Sequence, residues 1–383
     1  MSLANPPTVA IESSLWDPER FELDRSNLFD VVRLYAALQV ALMHAETHLN
    51  LGLSTSLKSF FSVRGVPVFF VLSGFLVGLS WLRNQEHPLS YARSRGARIF
   101  PALVAVGIVS WSVAGLLGET EFIVSMQGVL WLLSQITIAP FYNPEALRDF
   151  GVGVMNGSLW TIPVELQFYI SLPFVLFSAR KLQNRFGIAA ASSFVGALLV
   201  ASLLSPLLVT APLSQGGSAP AIGTLAQKLF YVSLPPYLVQ FLCGTILIVP
   251  FIYWGQRRAS YVFIGLGLLV WGAQSLTGLS GPQNTLLVDL QRALLVIGIG
   301  LLPMPFNLPG DLSYGIYLWH MPIINVMIVS SALDTTTHQL AVFLAILLSF
   351  AALSWFCIES PALKKARKAR DKPIPIGIPK LTS

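Results

Sequence analysis

The sequence predicts an all-α, polytopic membrane protein: a helical bundle of about ten transmembrane helices with one further re-entrant or interfacial segment. Hydrophobic residues make up 54% of the 383-residue chain and charged residues only 11%, whereas an average soluble domain has about 25% charged residues. Apolar segments recur along the chain at lengths near the roughly 17–25 residues that a bilayer requires. Lys and Arg are also distributed unevenly between the loops, as membrane topology demands.

The predicted spans cover most of the apolar sequence. In chain order they are 28–50, 65–82, 99–117, 158–178, 187–211, 229–253, 260–276, 286–303, 313–331 and 339–358. The segment 122–140 is also apolar, but it contains Gln127 and Gln135 and ends at Pro140. We interpret it as re-entrant or interfacial, because counting it as a span breaks the alternation of loop charge.

Loop charge predicts the orientation of the bundle. With ten spans and both termini inside, 18 of the 24 Lys and Arg residues fall in cytoplasmic segments and four fall in external loops. Because basic loops stay on the cytoplasmic side, we expect a plasma (inner) membrane protein with both termini in the cytoplasm. The same rule explains the net charge of +6, so nucleic-acid binding is not indicated.

The chain divides into three parts by composition. They are a cytoplasmic lead-in (1–27), a membrane domain (28–361) and a basic cytoplasmic tail (362–383). Cys243 and Cys357 both lie in apolar segments, which indicates neither a disulfide framework nor a thiolate metal site. We therefore predict no metal and no permanently bound cofactor, and no feature indicates an oligomeric state.

Among the polar residues of the first span, Arg33 and His44 lie eleven positions apart. At about 100° per residue, eleven steps come close to three full turns, so both side chains project from one helix face. A charged side chain near mid-bilayer costs about 2.5–3.5 kcal/mol. Two such groups on one face predict an internal polar cavity rather than contact with lipid.

The fourth span supplies a carboxylate for this cavity. It enters from outside at about residue 158, which puts Glu165 roughly 10 Å deep, at a level similar to that of His44. We predict that Glu165 orients the His44 ring, which then takes a proton as a general base. The alternative is a buried pair that only locks two helices together. His320 is expected near the depth of Arg33 and far from His44, lining an inner channel or bonded to a neighbouring backbone group.

Three further features are less specific. Ser73 and Gly74, in an otherwise apolar helix, suit close helix packing by small residues. Arg95 and Arg98, three positions apart, would share a helix face and form a cationic fork suited to phosphates. Ordinary cytoplasmic charge explains the two arginines equally well. Glu359, at the end of the tenth span, is interpreted as a boundary residue.

Taken together, these motifs resemble the acyltransferase 3 family of integral membrane acyltransferases over about residues 27–361. They are Arg33-x10-His44 preceded by Asp30, GVPVFFVLSGFL with Ser73 and Gly74, Arg95-x-x-Arg98, SLWTIPVE with Trp160 and Glu165, SYGIYLWH with His320, and Glu359-Ser-Pro. The resemblance implies transfer of an acyl group, usually acetyl, from cytoplasmic acyl-CoA to a hydroxyl, often on a surface carbohydrate. It also implies that Arg33-x10-His44 and Arg95-x-x-Arg98 are functional positions.

The sequence thus predicts a membrane O-acyltransferase, an O-acetyltransferase, that uses acyl-CoA (acetyl-CoA) as co-substrate. Its partners would be a carbohydrate or other hydroxyl acceptor and the lipid bilayer. The assigned residues are His44, Glu165 and Arg33 (catalytic), Arg95, Arg98 and His320 (donor-binding), and Asp30, Ser73 and Trp160 (supporting). Direct transfer and an acyl-histidine intermediate both fit this set.

Two other functions are compatible with a polar cavity in a membrane bundle. One is a secondary transporter that exports a sugar or a lipid-linked intermediate. Transporters often contain inverted repeats, and no internal repeat is evident in this sequence. The other is a non-catalytic scaffold of a polysaccharide assembly complex, which would leave Arg33, His44 and Glu165 without a reason to be inside the membrane.

Overall fold

The computed structural model describes residues 21–24, 26–85, 87–118, 120–137, 139–140, 142–208, 225–278, 285–304, 308–330 and 336–370. Helices dominate these ranges, and no β-strand occurs within them. The α-helices are α1 (Phe29–Leu49), α2 (Thr55–Phe60), α3 (Gly65–Arg83), α4 (Pro88–Leu117), α5 (Thr120–Val124), α6 (Met126–Gln135), α7 (Thr161–Phe186), α8 (Ile188–Leu204), α9 (Leu225–Tyr231), α10 (Leu238–Ile246), α11 (Ile248–Thr277), α12 (Thr285–Gly300), α13 (Ser313–Val329), α14 (Thr336–Ser354) and α15 (Ser360–Arg370).

The predicted fold class is confirmed. Within the described ranges, seven helical stretches are long and apolar enough to cross a membrane, and α13 is a shorter apolar helix. α1 and α12 coincide with the first and eighth predicted spans. Most of the lead-in 1–27 and the end of the tail, 371–383, lie outside the described residues.

The sixth and seventh predicted spans differ from the structure. The region 229–253 is a bent path of α9, a 3₁₀ turn at Pro235–Tyr237, α10 and the first turns of α11. Two adjacent prolines interrupt helical hydrogen bonding there. The break before the seventh span falls inside α11, at Gly255, whose φ of +73° leaves the helical region. Backbone chemistry, rather than hydropathy, sets these two boundaries.

The described part of segment 122–140 fits the prediction of a re-entrant or interfacial segment. It forms α5 and α6, of five and ten residues, which are too short to cross a bilayer. Ser125 ends the first helix and caps the second by accepting a hydrogen bond from the Gly128 amide. Val124 and Met126 are exposed while Trp131 is buried, so one side of the segment packs against the bundle and the other side is free to meet lipid.

Glycines allow α3 and α10 to cross at very short range. A Cβ atom on Gly74 would lie 2.0 Å from the backbone oxygen of Phe241, and one on Gly244 would lie 2.1 Å from the oxygen of Val71. Thr245 Oγ1 also donates to the Gly74 oxygen at 3.1 Å. The predicted packing role of Gly74 is therefore confirmed, and this crossing fixes the position of Ser73 beside it.

A Gly74→Ala substitution is expected to lower the free energy of unfolding by about 1–3 kcal/mol. The clashing atom belongs to the backbone of α10, which cannot move aside as a side chain would. The matched control is Gly196→Ala in α8, where an added Cβ meets no atom within 4 Å. Unfolding of both purified variants in mixed micelles measures the difference. Equal stability would show that the crossing is not tight.

Candidate active site

Arg33 and His44 face the same neighbour, α13. Arg33 lies 3.5 Å from Asp311, just before α13 begins, and 3.0 Å from Asp30 on its own helix. His44 Nδ1 lies 2.9 Å from Nε2 of His320, within α13. The predicted common face of Arg33 and His44 is therefore confirmed, because Arg33 contacts Asp311 just before α13 and His44 contacts His320 within it.

Half-buried His44 and buried His320 form a histidine dyad. The two rings are nearly parallel, with an interplanar angle of 7° and centroids 5.1 Å apart. His320 is fully buried, with no exposed surface. Its Nδ1 lies 2.8 Å from the backbone oxygen of Tyr317. A carbonyl oxygen can only accept a hydrogen bond, so this nitrogen carries the proton of the neutral ring.

The Tyr317 carbonyl thereby sets the tautomers of both rings. With its proton on Nδ1, His320 presents a lone pair at Nε2, and His44 must donate its own Nδ1 proton to it. The remaining nitrogen of His44, Nε2, then holds a free lone pair. Since His44 lines a cavity, described below, this lone pair can receive a proton from a bound molecule.

The expected distance between His320 and His44 is therefore wrong. We placed His320 by its depth below the membrane edge, as if α13 began at that edge. The contact between Arg33 and Asp311 shows instead that α13 begins at the level of Arg33. From those two residues, both histidines lie about 13–16 Å further along parallel helices, which brings them level with each other.

The expected pair of His44 with Glu165 does not form either. Glu165 Oε1 accepts a hydrogen bond from Ser73 Oγ at 2.9 Å and another from the Tyr169 hydroxyl. Both donors line the same cavity as Glu165, whereas His44 lines another. Depth alone suggested the pair, and depth does not specify the direction in which a side chain points.

Two adjoining cavities lie on either side of a shared wall formed by Val66, Phe70 and Tyr317. The outer cavity has a volume of about 440 Å³, and its polar and aromatic lining comprises Gln39, His44, Arg64, Ser158, Trp160, Tyr237, Gln240 and Tyr317. The inner cavity has a volume of about 90 Å³, and its polar lining comprises Arg33, Ser73, Arg95, Arg98, Thr161, Glu165, Tyr169, Ser313, Tyr314 and Tyr317. His44 thus faces one cavity, while the predicted arginines and Glu165 face the other.

Arg98 belongs to an ion-pair network inside the bundle. Its Nη2 lies 2.5 Å from Asp311 Oδ2, and its Nη1 lies 3.9 Å from Glu359 Oε2. Burial would raise the pKa of the Asp311 carboxyl, but the charges of Arg98 and Arg33 lower this pKa to about 2. Asp311 is therefore ionised at any physiological pH, and it ties α1, α4 and the start of α13 together.

Arg95 and Arg98 have different partners, so the two arginines of the predicted cationic fork are not equivalent. Both arginines line the inner cavity, but no carboxylate of the described residues lies within ion-pair distance of Arg95. Its guanidinium lies over the Tyr169 ring, 5.8 Å from the centroid. Arg95 is the cation of this pair that is available to an anionic ligand.

Two acidic residues of the site were missed or misjudged from the sequence. Asp311 received no role, although it is an isolated acid in a short loop beside the SYGIYLWH motif. Glu359, interpreted as a boundary residue, is 1% exposed and accepts a hydrogen bond from Ser354. It lies in a π-helical turn, Trp355–Glu359, a distortion that often occurs at functional sites.

The fold defines a polytopic helical membrane protein, and comparison with known proteins gives its class, an acyltransferase, and its family. Residues 27–359 match the family model for an acyltransferase domain, acyltransferase 3. The chain belongs to this family. Because its relatives include an O-acetyltransferase, the chain is assigned as an O-acyltransferase. No solved structure matches the chain significantly.

Three curated relatives illustrate the range of the family. Nodulation protein 10 of Rhizobium leguminosarum bv. viciae is 30% identical over 367 residues, covering 88% of this chain and 93% of the relative. The exopolysaccharide production protein ExoZ of Rhizobium meliloti is 27% identical, covering 80% of this chain and 91% of the relative. The peptidoglycan O-acetyltransferase OatA of Listeria monocytogenes is 26% identical, covering 78% of this chain and 51% of the relative.

Proposed function

We propose that this enzyme transfers an acetyl group from cytoplasmic acetyl-CoA to a hydroxyl of an extracytoplasmic or membrane-associated carbohydrate. The observation that carries the proposal is the dyad of His44 and His320 at a cavity that adjoins a second, cationic cavity. One cavity would take the hydroxyl acceptor and the other the thioester. Val66, Phe70 and Tyr317 line both cavities, so the two reacting groups would meet at this shared wall, beside His44.

The reaction follows from the tautomers of the dyad. Nε2 of His44 takes the proton of the acceptor hydroxyl while the oxygen attacks the carbonyl carbon of the thioester. His320 accepts a hydrogen bond from the other side of the ring and stabilises the imidazolium that forms. The carbon–sulfur bond then breaks, and the departing thiolate of coenzyme A takes the proton from His44. The products are an O-acetyl ester and free coenzyme A.

The outer cavity supports a carbohydrate acceptor. Its wall contains the Trp160 and Tyr237 rings, whose centroids are 5.1 Å apart, and aromatic faces suit the apolar faces of sugar rings. Two of the relatives carry names that refer to an exopolysaccharide and to peptidoglycan. These features favour a sugar hydroxyl over an alcohol of a small apolar metabolite.

The inner cavity supports an anionic donor that arrives from the cytoplasm. Arg33 and Arg95 supply positive charge there, and the basic loops predict that this end of the bundle faces the cytoplasm. We place the protein in the inner membrane with both termini inside on the same ground. Glu165, held by Ser73 and Tyr169, would position the donor side of the reaction.

Radiolabelled acetyl-CoA supplied to inverted inner-membrane vesicles tests the proposed function. We expect label to enter a carbohydrate fraction and to be released as acetate by mild base, as an ester requires. Mass comparison of surface glycans from cells with and without the gene would identify the acceptor. If vesicles that contain the protein consume no thioester, the proposed function is wrong.

His320 is expected to act as a positioning residue rather than as a donor ligand. His320→Leu removes the acceptor of the His44 Nδ1 proton, so kcat should fall by about tenfold or more while the KM for acetyl-CoA stays the same. His320→Gln can still present an acceptor oxygen and should recover part of the rate. Nitrogen NMR of histidine-labelled protein should show the Nδ1-protonated form of His44 in the parent and its loss in His320→Leu. A change confined to the KM for acetyl-CoA would contradict this role.

A further inference from the structure

A cationic cleft lies at the end of the bundle where α3 and α7 terminate. It has a volume of about 840 Å³ and is lined by Trp81 of α3, by Gln85 in the turn that follows α3, and by Arg180, Lys181 and Arg185 of α7. Among the described residues that line it, none is a carboxylate. Three cations beside an aromatic ring suit a ligand that has phosphate groups and a flat ring.

The cleft and the inner cavity lie along one stripe of α3. Ser73 and Val77 line the inner cavity, and Trp81 and Gln85 line the cleft. Ser73, Val77 and Trp81 are four positions apart within α3, so they share one helix face. From Ser73 to Trp81 the helix rises about 12 Å. A long ligand on this face would therefore contact both sites.

α7 also lines both the inner cavity and the cleft, and a residue of α4 contacts both linings. Tyr169 of α7 lines the inner cavity, and Phe177, two turns further along, lines the cleft. Tyr91 of α4 connects the two linings, because its ring packs edge-on against Trp81 at 5.1 Å and its hydroxyl donates to the Tyr169 oxygen at 3.0 Å. α3 and α7 therefore each line both sites, and the path between their lining residues is called the groove.

The inner cavity cannot hold the whole of a nucleotide-bearing donor. Its volume of about 90 Å³ is well below the roughly 300–1,000 Å³ of typical small-molecule sites. Arg98 within it is already bound by Asp311 at 2.5 Å. The phosphates of such a donor require another site, and the cleft at the end of the groove has both the space and the charge.

We propose that this cleft binds the nucleotide end of acyl-CoA, and that the groove between α3 and α7 holds the pantetheine arm. The inference rests on the proposed function, since it takes acyl-CoA as the donor. The adenine ring would stack on Trp81, and the phosphates would bind Lys181 and Arg185. The thioester would pass Arg95 in the inner cavity and reach the wall shared with the outer cavity, where His44 lies.

Two donors and one double variant test the site. The donors are acetyl-CoA and S-acetylpantetheine, which has the same thioester arm but no nucleotide or phosphate. The variant is Lys181→Gln with Arg185→Gln, assayed in phosphatidylcholine nanodiscs. We expect its KM for acetyl-CoA to rise at least about tenfold with kcat within about twofold. Its kcat/KM for S-acetylpantetheine should equal that of the parent.

The matched control is Arg257→Gln with Arg258→Gln, which removes two exposed cations of α11 that do not line the cleft. This control should leave the KM for acetyl-CoA unchanged. An unchanged KM in the cleft variant, or an equal loss with both donors, would overturn the proposed site. A loss seen only when phosphatidylglycerol is added would assign the cleft to an anionic lipid headgroup and would also overturn it. If the parent turns over neither donor, the proposed function itself fails.

Discussion

Replacing His44 with alanine is expected to lower the rate of acyl transfer by about 10²–10⁴-fold, the usual effect of losing a general base. The dyad leaves Nε2 of His44 as the lone pair that faces the outer cavity, and His320 on its other side is buried behind it. Another base would therefore need to enter from solvent. The measurement is the transfer of label from acetyl-CoA in membrane vesicles, normalised to the amount of inserted protein.

The matched control is His87→Ala, because His87 is an exposed histidine in the turn before α4. It should retain parental activity. The amount of His44→Ala protein in the membrane and its unfolding midpoint should match those of the parent. These two measurements separate a chemical effect from a folding failure. A folded and active His44→Ala enzyme would remove His44 from the mechanism.

Replacing Asp311 with asparagine is expected to lower the free energy of unfolding by about 3 kcal/mol or more, because it leaves a partly buried guanidinium without its closest counter-charge. Arg98 is 21% exposed and Asp311 is 9% exposed in their side chains. The other carboxylate near Arg98, that of Glu359, is 3.9 Å away. The measurement is the free energy of unfolding in mixed micelles.

Asp30→Asn provides the control for this effect. Asp30 also pairs with Arg33, at 3.0 Å, but its side chain is 51% exposed, and exposed ion pairs contribute about 0–1 kcal/mol. The two substitutions make the same chemical change, Asp to Asn, in the two partners of Arg33, which are Asp30 and Asp311. Equal losses of stability would show that burial at Asp311 does not determine its contribution.

Much of the fold could be predicted because the bilayer restricts it strongly. A span needs enough apolar residues to cross the hydrocarbon core with every backbone group bonded inside the helix, and both requirements are visible in sequence. Segment 122–140 fits its interpretation as an interrupted segment, because it forms two short helices that meet at Ser125 instead of one span. The bent region 229–253 was not predicted, because its hydropathy is continuous while its backbone is broken by prolines and Gly255.

Less of the site could be predicted, and the errors share a physical cause. Helix periodicity placed Arg33 and His44 on one face, and both contact α13. The partner of His44 was assigned by depth, which requires that each helix begin at the membrane edge. α13 begins deeper, beside Arg33, so His320 rather than Glu165 meets His44. Asp311 could not be given a role until tertiary contacts brought it to Arg98.

The sequence by itself determined that this protein is a helical membrane bundle of the acyltransferase 3 family, with a polar face on its first helix. Hydropathy, helix periodicity and motif order are properties of the chain alone, so they need no knowledge of neighbours. Only the tertiary structure decided which polar groups pair, how the two cavities adjoin and which arginine is left for a ligand. Those outcomes depend on the relative shift and rotation of helices, which side-chain packing between distant segments sets.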